Sequence, residues 1–241
     1  MKNQLILNSV VDLSSRYMCN LDILDYLNDN SNNDGINFYY LGKVEYSSAW
    51  NLQKKIHDLV KSDDLGDIVL FLEHNHVYTL GKNADSNYIL DRYQDKIDII
   101  QTDRGGQVTY HGPGQLIGYP IINLNKYRKS VSWYMRTLEK IIIKTLEKYA
   151  ICATTKEDLT GVWVNDEKIC AMGVRLSKWV TMHGFALNLN PDMKYYDGMI
   201  PCGIQEYGIT SLFEFLNKEI DTFEVMNYLA NFFINETKII N

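Results

Sequence analysis

The chain has little from which to build a metal centre, a disulfide framework or a nucleotide cradle. Its four cysteines, Cys19, Cys152, Cys170 and Cys202, lie far apart with no C-x-x-C pair among them. Neither zinc nor structural disulfides are indicated, and a reducing, intracellular compartment fits. The phosphate-binding glycine motifs are missing, and so is H-E-x-x-H. No run approaches the roughly 18 apolar residues of a membrane span, and the N-terminus lacks a basic segment followed by an apolar one. Positive charge is also short. The formal net charge is -6, which argues against a general nucleic-acid binder, because phosphates require a basic face.

What is present suits one folded domain: 241 residues, 46% of them hydrophobic, enough for a sizeable core. The tract "NDNSNNDGIN" at 28–37 has almost nothing to bury and is expected as a flexible surface segment. Residues 1–37 therefore read as an N-terminal extension and 38–241 as the folded, functional domain. "YSSAWNLQKKIHDLV" predicts a helix capped by Ser47 or Ser48, with Leu52, Ile56, Leu59 and Val60 inward. "DIVLFLEH" predicts a strand buried on both faces, and "IDIIQ" and "LIGYPIIN" predict two more. A long helix is predicted over "VSWYMRTLEKIIIKTLEKY", with Val131, Met135, Leu138, Ile142 and Leu146 on one side. "GVWVNDEKICAMGVR" reads as a hairpin turning at Asn165 and Asp166, and "VTMHGFALNLN" continues the sheet. Asp221 and Glu224 have the spacing of a capping box before a last helix. The alternation of hairpins and helices predicts an α/β (α+β) domain with a mixed, mostly antiparallel sheet flanked by helices.

Three stretches could carry chemistry. "RGGQVTYHGPGQ" at 104–115 surrounds Arg104, Gln107, Thr109, Tyr110, His111 and Gln115 with glycines, which allow close backbone approach to a ligand. A plain turn between strands is the alternative, though a turn does not need so many polar side chains. Lys168 heads into an apolar strand, where desolvation would favour its neutral, basic form; a solvated lysine at a strand start is the competing reading. Cys202, between Pro201 and Gly203, is either a nucleophile on a tight turn or a small core residue. Cys170 rivals it, because on a plain strand residues 168 and 170 share a face. His74 and His76 also share a face if extended, but no third ligand stands near, so structural or substrate-lining roles are favoured. His183 either lines a pocket or satisfies a sheet hydrogen bond.

These stretches, together with "LGKVEYSSAWNLQ" at 41–53, "EHNHVYTLGK" at 73–82 and "IPCGI" at 200–204, resemble the lipoyl(octanoyl) transferases. Those enzymes move an octanoyl group from acyl carrier protein to a lysine of a lipoyl domain. The resemblance covers about residues 38 to 216 and implies the biotin/lipoate protein ligase-like fold. It makes Cys202 the acylated nucleophile and Lys168 the group that lowers its pKa and serves as acid and base. It assigns substrate binding to Arg104, Gly105, Gly106, Gln107, Val108, Thr109, Tyr110 and His111, to Ala171, Met172 and Gly173, and to Gly184, Phe185 and Ala186. It favours Cys202 over Cys170, where family members usually carry a small residue such as alanine. Two departures stand out: His76 occupies a usual proline position, and the first 36 or so residues have no counterpart.

By the same resemblance no ATP or metal cofactor is expected, since an amide forms downhill from a thioester. The implied partners are octanoyl-acyl carrier protein and the lipoyl domains of 2-oxoacid dehydrogenase complexes and glycine cleavage H protein. They imply a locally positive surface from Arg104, Arg175, Lys178 or the run at 126–129. Amides near Gly105, Gly106 or Lys168 are candidate oxyanion donors. A monomer is expected, in the cytoplasm or in a mitochondrion or plastid. The rival readings are an ATP-dependent lipoate or biotin ligase on the same fold and a catalytically silent acyl-protein binding module.

Overall fold

The computed structural model describes residues 9–18, 22–90, 97–199 and 207–238. Cys19 and Cys202 lie outside them. The first half of the chain runs β1 (Val10–Asp12), α1 (Ser14–Met18), α2 (Ile23–Asn30), β2 (Ile36–Val44), α3 (Tyr46–Lys61), β3 (Asp67–His74), β4 (Val77–Leu80), β5 (Asp98–Gln101), β6 (Val108–His111) and β7 (Gln115–Ile121). Then come α4 (Val131–Glu147), β8 (Thr154–Lys156), β9 (Leu159–Val164), β10 (Glu167–Ser177), β11 (Val180–Asn188), β12 (Gly208–Ile209), α5 (Leu212–Leu216) and α6 (Thr222–Glu236).

Among the described residues the main sheet has the order β1-β2-β3-β7-β11-β10-β9-β8, with β12 beside β10, and a smaller sheet has the order β5-β4-β6. Along the path from β3 to β8 each successive pair is antiparallel, while β1, β2 and β3 run parallel and β12 runs parallel to β10. This is the mixed sheet expected. Its centre is covered on both faces, which explains the unbroken apolar run of β3. Ile68, Leu70 and Leu72 pack toward α3 with Ile56 and Val60, and Val69 and Phe71 pack toward α4 and α6 with Leu138, Ile142, Leu229 and Phe233. Each such fully buried aliphatic or aromatic side chain stabilises the fold by about 1.5 to 3 kcal/mol.

Several local expectations need correction. The α3 cap is not a serine: both Glu45 oxygens accept backbone amides, from Ser47 at 2.8 Å and Ser48 at 2.7 Å. On α4 the inward stripe starts at Tyr134, and Val131 is 47% exposed. Asp221 caps α6 by accepting the Phe223 and Glu224 amides, but the Glu224 carboxylate receives the Tyr149 and Tyr228 hydroxyls. The folded core also begins before residue 38. β1 pairs with β2 at the edge of the main sheet, Leu27 of α2 is fully buried, and Asn37 ties the tract to Asp67. No helix of the described residues is long and apolar enough to cross a membrane.

Candidate active site

A cavity of about 330 Å³ opens where the glycine-rich loop meets β10 and β11. Arg104, Gly105, Gly106, Gln107, Val108, Thr109, His111, Lys168, Ala171, Met172, Gly173, Gly184, Phe185 and Ala186 all line it. Four separate sequence stretches thus converge on one space. Tyr110 is not among the lining residues. Thr109 and His111, on the other face of β6, line the cavity, while the Tyr110 ring stacks on Tyr195 and its hydroxyl meets His76 Nδ1 at 2.7 Å.

The loop is held against β10 by its own backbone. The Gly105 amide donates to the Val174 carbonyl at 3.0 Å, so it is not available to an oxyanion. A side chain at Gly173 would place its Cβ 2.8 Å from the Gly105 carbonyl oxygen, and only glycine permits that approach. The Arg104 guanidinium points inward, with Nη2 donating to the carbonyl and hydroxyl of Thr79 at 2.7 and 2.8 Å and Nη1 to the Gly105 carbonyl. Arg175 is also engaged, 2.7 Å from Asp103. Arg104 is buried and supplies none of the outward charge expected for partners, whereas Arg175, though paired with Asp103, is exposed together with Lys126, Arg128, Lys129 and Lys178.

A bulge separates Cys170 from Lys168. Lys168 pairs with Trp163 across β9, yet Cys170 pairs with Val162, so the register shifts by one between them. Residues opposite each other in a ladder share a face. Lys168 therefore lies with Trp163, its ammonium 4.7 Å from the indole ring, and lines the cavity. Cys170 lies with Val162 in the apolar core, wholly buried. Burial pushes its thiol pKa up, with Lys168 opposing the shift only in part. Cys152 is exposed and absent from the cavity lining.

The floor is a network of neutral histidines. His74 Nδ1 lies 2.7 Å from the Val44 carbonyl, which can only accept, so Nδ1 carries the proton and Nε2 accepts the Tyr119 hydroxyl at 2.7 Å. Desolvation lowers the His74 pKa to about 4. His111 faces Gln115 Oε1 at 2.8 Å and stacks on Tyr46, and burial depresses its pKa strongly as well. His183 lines the cavity with Nε2 2.8 Å from Asp103. Among the described residues no group of three or more His, Cys, Asp or Glu side chains could hold a metal ion.

Residues 45–234 match the lipoyl protein ligase A/B catalytic domain. The chain belongs to that family. It is 43% identical over 205 residues to an octanoyltransferase of Clostridium kluyveri, covering 82% of this chain and 87% of the relative. It is 42% identical to an octanoyltransferase of Nostoc punctiforme over 197 residues, 81% of this chain and 85% of the relative. A crystal structure of lipoate-protein ligase A bound with ATP shares the fold at 14% identity, with a TM-score of 0.66 over 80% of this chain and 82% of the other.

In this lipoyl protein ligase A/B domain, sequence reasoning missed Tyr46, Tyr119, Met135, Val174 and the segment Asp158 to Thr160, all of which line the cavity. Tyr46 and Tyr119 sit in runs that read as ordinary helix and strand, and α4 delivers Met135 across the sheet. Asp103 was the more legible omission, because it directly precedes the glycine-rich run.

Proposed function

We propose that this chain transfers an octanoyl group from an acyl carrier protein to a lysine of a lipoyl domain, the first step of endogenous lipoate formation. The reaction passes through a thioester on Cys202. The observation that supports this best is that Lys168, buried, is the one lysine among the described residues lining the cavity, alongside the glycine-rich loop. Relatives matched over more than four fifths of both chains are octanoyltransferases. In the first step the Cys202 thiol gives its proton to Lys168 and the thiolate attacks the donor thioester; Lys168 returns the proton to the departing carrier thiol. In the second step the acceptor amine attacks the octanoyl-cysteine and Lys168 takes a proton from it. The octanoyl chain lies along Met172, Phe185 and Ala186, in a cavity at the small end of the range for ligand pockets. Neither ATP nor a metal is needed.

Intact mass after mixing with octanoyl carrier protein, without ATP, tests this. The wild type and Cys170→Ala gain one octanoyl group, and Cys202→Ser does not. Modification of a lipoyl domain that requires ATP and free octanoate would replace the transferase by a ligase. Stable binding of the carrier with no adduct on any form would leave only a binding module.

A further inference from the structure

An ammonium that becomes an amide loses two protons, and Lys168 can hold one at a time. Across the cavity wall stands a second group able to accept a proton. His183 lies within β11 with φ 59, a left-handed conformation that side-chain-bearing residues rarely adopt in a strand. Its Nε2 is 2.8 Å from Asp103 Oδ1, and Asp103 Oδ2 is 2.7 Å from Arg175. Its backbone amide donates to Gln53 Oε1 at 3.0 Å. The other ring nitrogen, Nδ1, is buried and meets no hydrogen-bond partner among the described residues.

The tautomer follows from these partners. The His183 hydrogen bond, with Arg175 beside it, holds the Asp103 pKa below the usual carboxylate range, so Asp103 only accepts and Nε2 carries the ring proton. Nδ1 is then left with a lone pair and no donor among the described residues, on a side chain that lines the cavity. A thioester carbonyl and an octanoyl chain have no proton to offer it, and an oxyanion would be repelled. The ammonium of the acceptor lysine offers N–H groups. Gln107 Oε1 is likewise buried without a partner among the described residues, but an amide oxygen accepts a hydrogen bond without keeping the proton.

We propose that His183, steadied by Asp103, takes the first proton from the acceptor lysine's ammonium before it attacks the octanoyl-cysteine. The inference rests on the two-step reading above. The N–H bond breaks toward Nδ1, and its electron pair stays on nitrogen and attacks the thioester carbonyl. As the C–S bond breaks, its electron pair leaves on the Cys202 sulfur, which receives the amine's second proton through Lys168. The imidazolium, paired with Asp103, then returns its proton to water.

The test separates the half-reactions in the full chain. Octanoyl-enzyme is formed from octanoyl carrier protein, isolated, and mixed with a lipoyl domain in single-turnover experiments, for wild type, His183→Gln, His183→Gly and Asp103→Asn. The expected result is a transfer step slowed about 100-fold in His183→Gln at neutral pH, with acylation changed less than about threefold. The deficit should shrink about tenfold per pH unit as pH rises toward the free amine's own pKa near 10.4. Added imidazole should restore transfer in His183→Gly. The charged and titratable groups facing the ring are Asp103, Arg104, Arg175, His111 and Tyr119, so Asp103→Asn should move the wild-type pH profile in the same sense as His183→Gln. Transfer at the wild-type rate in both variants, or acylation and transfer falling by the same factor, overturns the proposal. The acylation rate reports folding within each variant. Absence of octanoyl-enzyme in the wild type would instead sink the two-step reading itself, and that is seen before any variant is compared.

Discussion

Lys168 and Cys170 differ by two in number and by everything in environment. The spacing in the sequence put them on one face, and the bulge put them on opposite faces, a distinction no periodicity rule can make because the extra residue is visible only in the partner strand. Lys168→Met should cut octanoyl-enzyme formation by at least about 100-fold, measured as burst amplitude and rate, while Cys170→Ala should leave that rate within twofold and lower stability by roughly 1 kcal/mol. His74 makes a second residue-scale prediction. Its pKa falls from 6.5 to about 4 in the folded chain, so between those values the unfolded chain binds the proton and the folded chain does not. Stability therefore declines as pH drops through that window and is complete above about 6.5, an effect of about 3 kcal/mol at most from this residue. Chemical denaturation at pH 7.5 and 4.5 should show the loss. Tyr119→Phe should be destabilised by about 1 to 3 kcal/mol at pH 7.5, because it strands neutral His74 Nε2 without its donor, and by less at pH 4.5, where protonation of Nε2 competes.

At the scale of elements, sequence patterns located helices and strands well and their ends less well. β3 was legible to the residue, since a short apolar run, with seven of its eight positions buried, leaves no other structure. The α3 start differs from the expectation because Ser47 and Ser48 are good cap residues, yet Glu45 reaches both of their amides and the cap lies two or three residues earlier. Glu45→Ala should lower stability by about 1 kcal/mol. It should also weaken catalysis through α3, which carries Tyr46 at the cavity and Gln53 on the His183 amide. A thermal melt and the single-turnover transfer rate check the two effects separately. The convergence of β6, β10 and β11 on one cavity was legible only through the resemblance, because nothing in their separate patterns says that they meet.

For the molecule as a whole, the fold class was written in the order of hairpins and helices, but the extent of the folded unit was not. The asparagine-rich tract reads as a linker by composition, and in the structure it connects α2 to β2 while α2 packs Ile23 and Leu27 against the α3 side of the sheet. Composition reports what a segment cannot bury and says nothing about what its neighbours bury. Deleting residues 1–31 should therefore do more than trim a tail. It uncovers the edge of β2 and the Tyr39 and Leu41 face beneath α2, and the truncated chain should melt several degrees lower and aggregate on refolding. An unchanged melting temperature would show that the unit begins near residue 38 after all.

The left-handed backbone at His183 inverts a usual ranking of substitutions. In a strand, alanine normally outranks glycine, because glycine surrenders more freedom on folding. At this position both variants lose the same imidazole, but alanine keeps a Cβ that a φ of 59 crowds against the following carbonyl. His183→Gly should accordingly unfold no earlier than His183→Ala, and the emptier variant becomes the sturdier one.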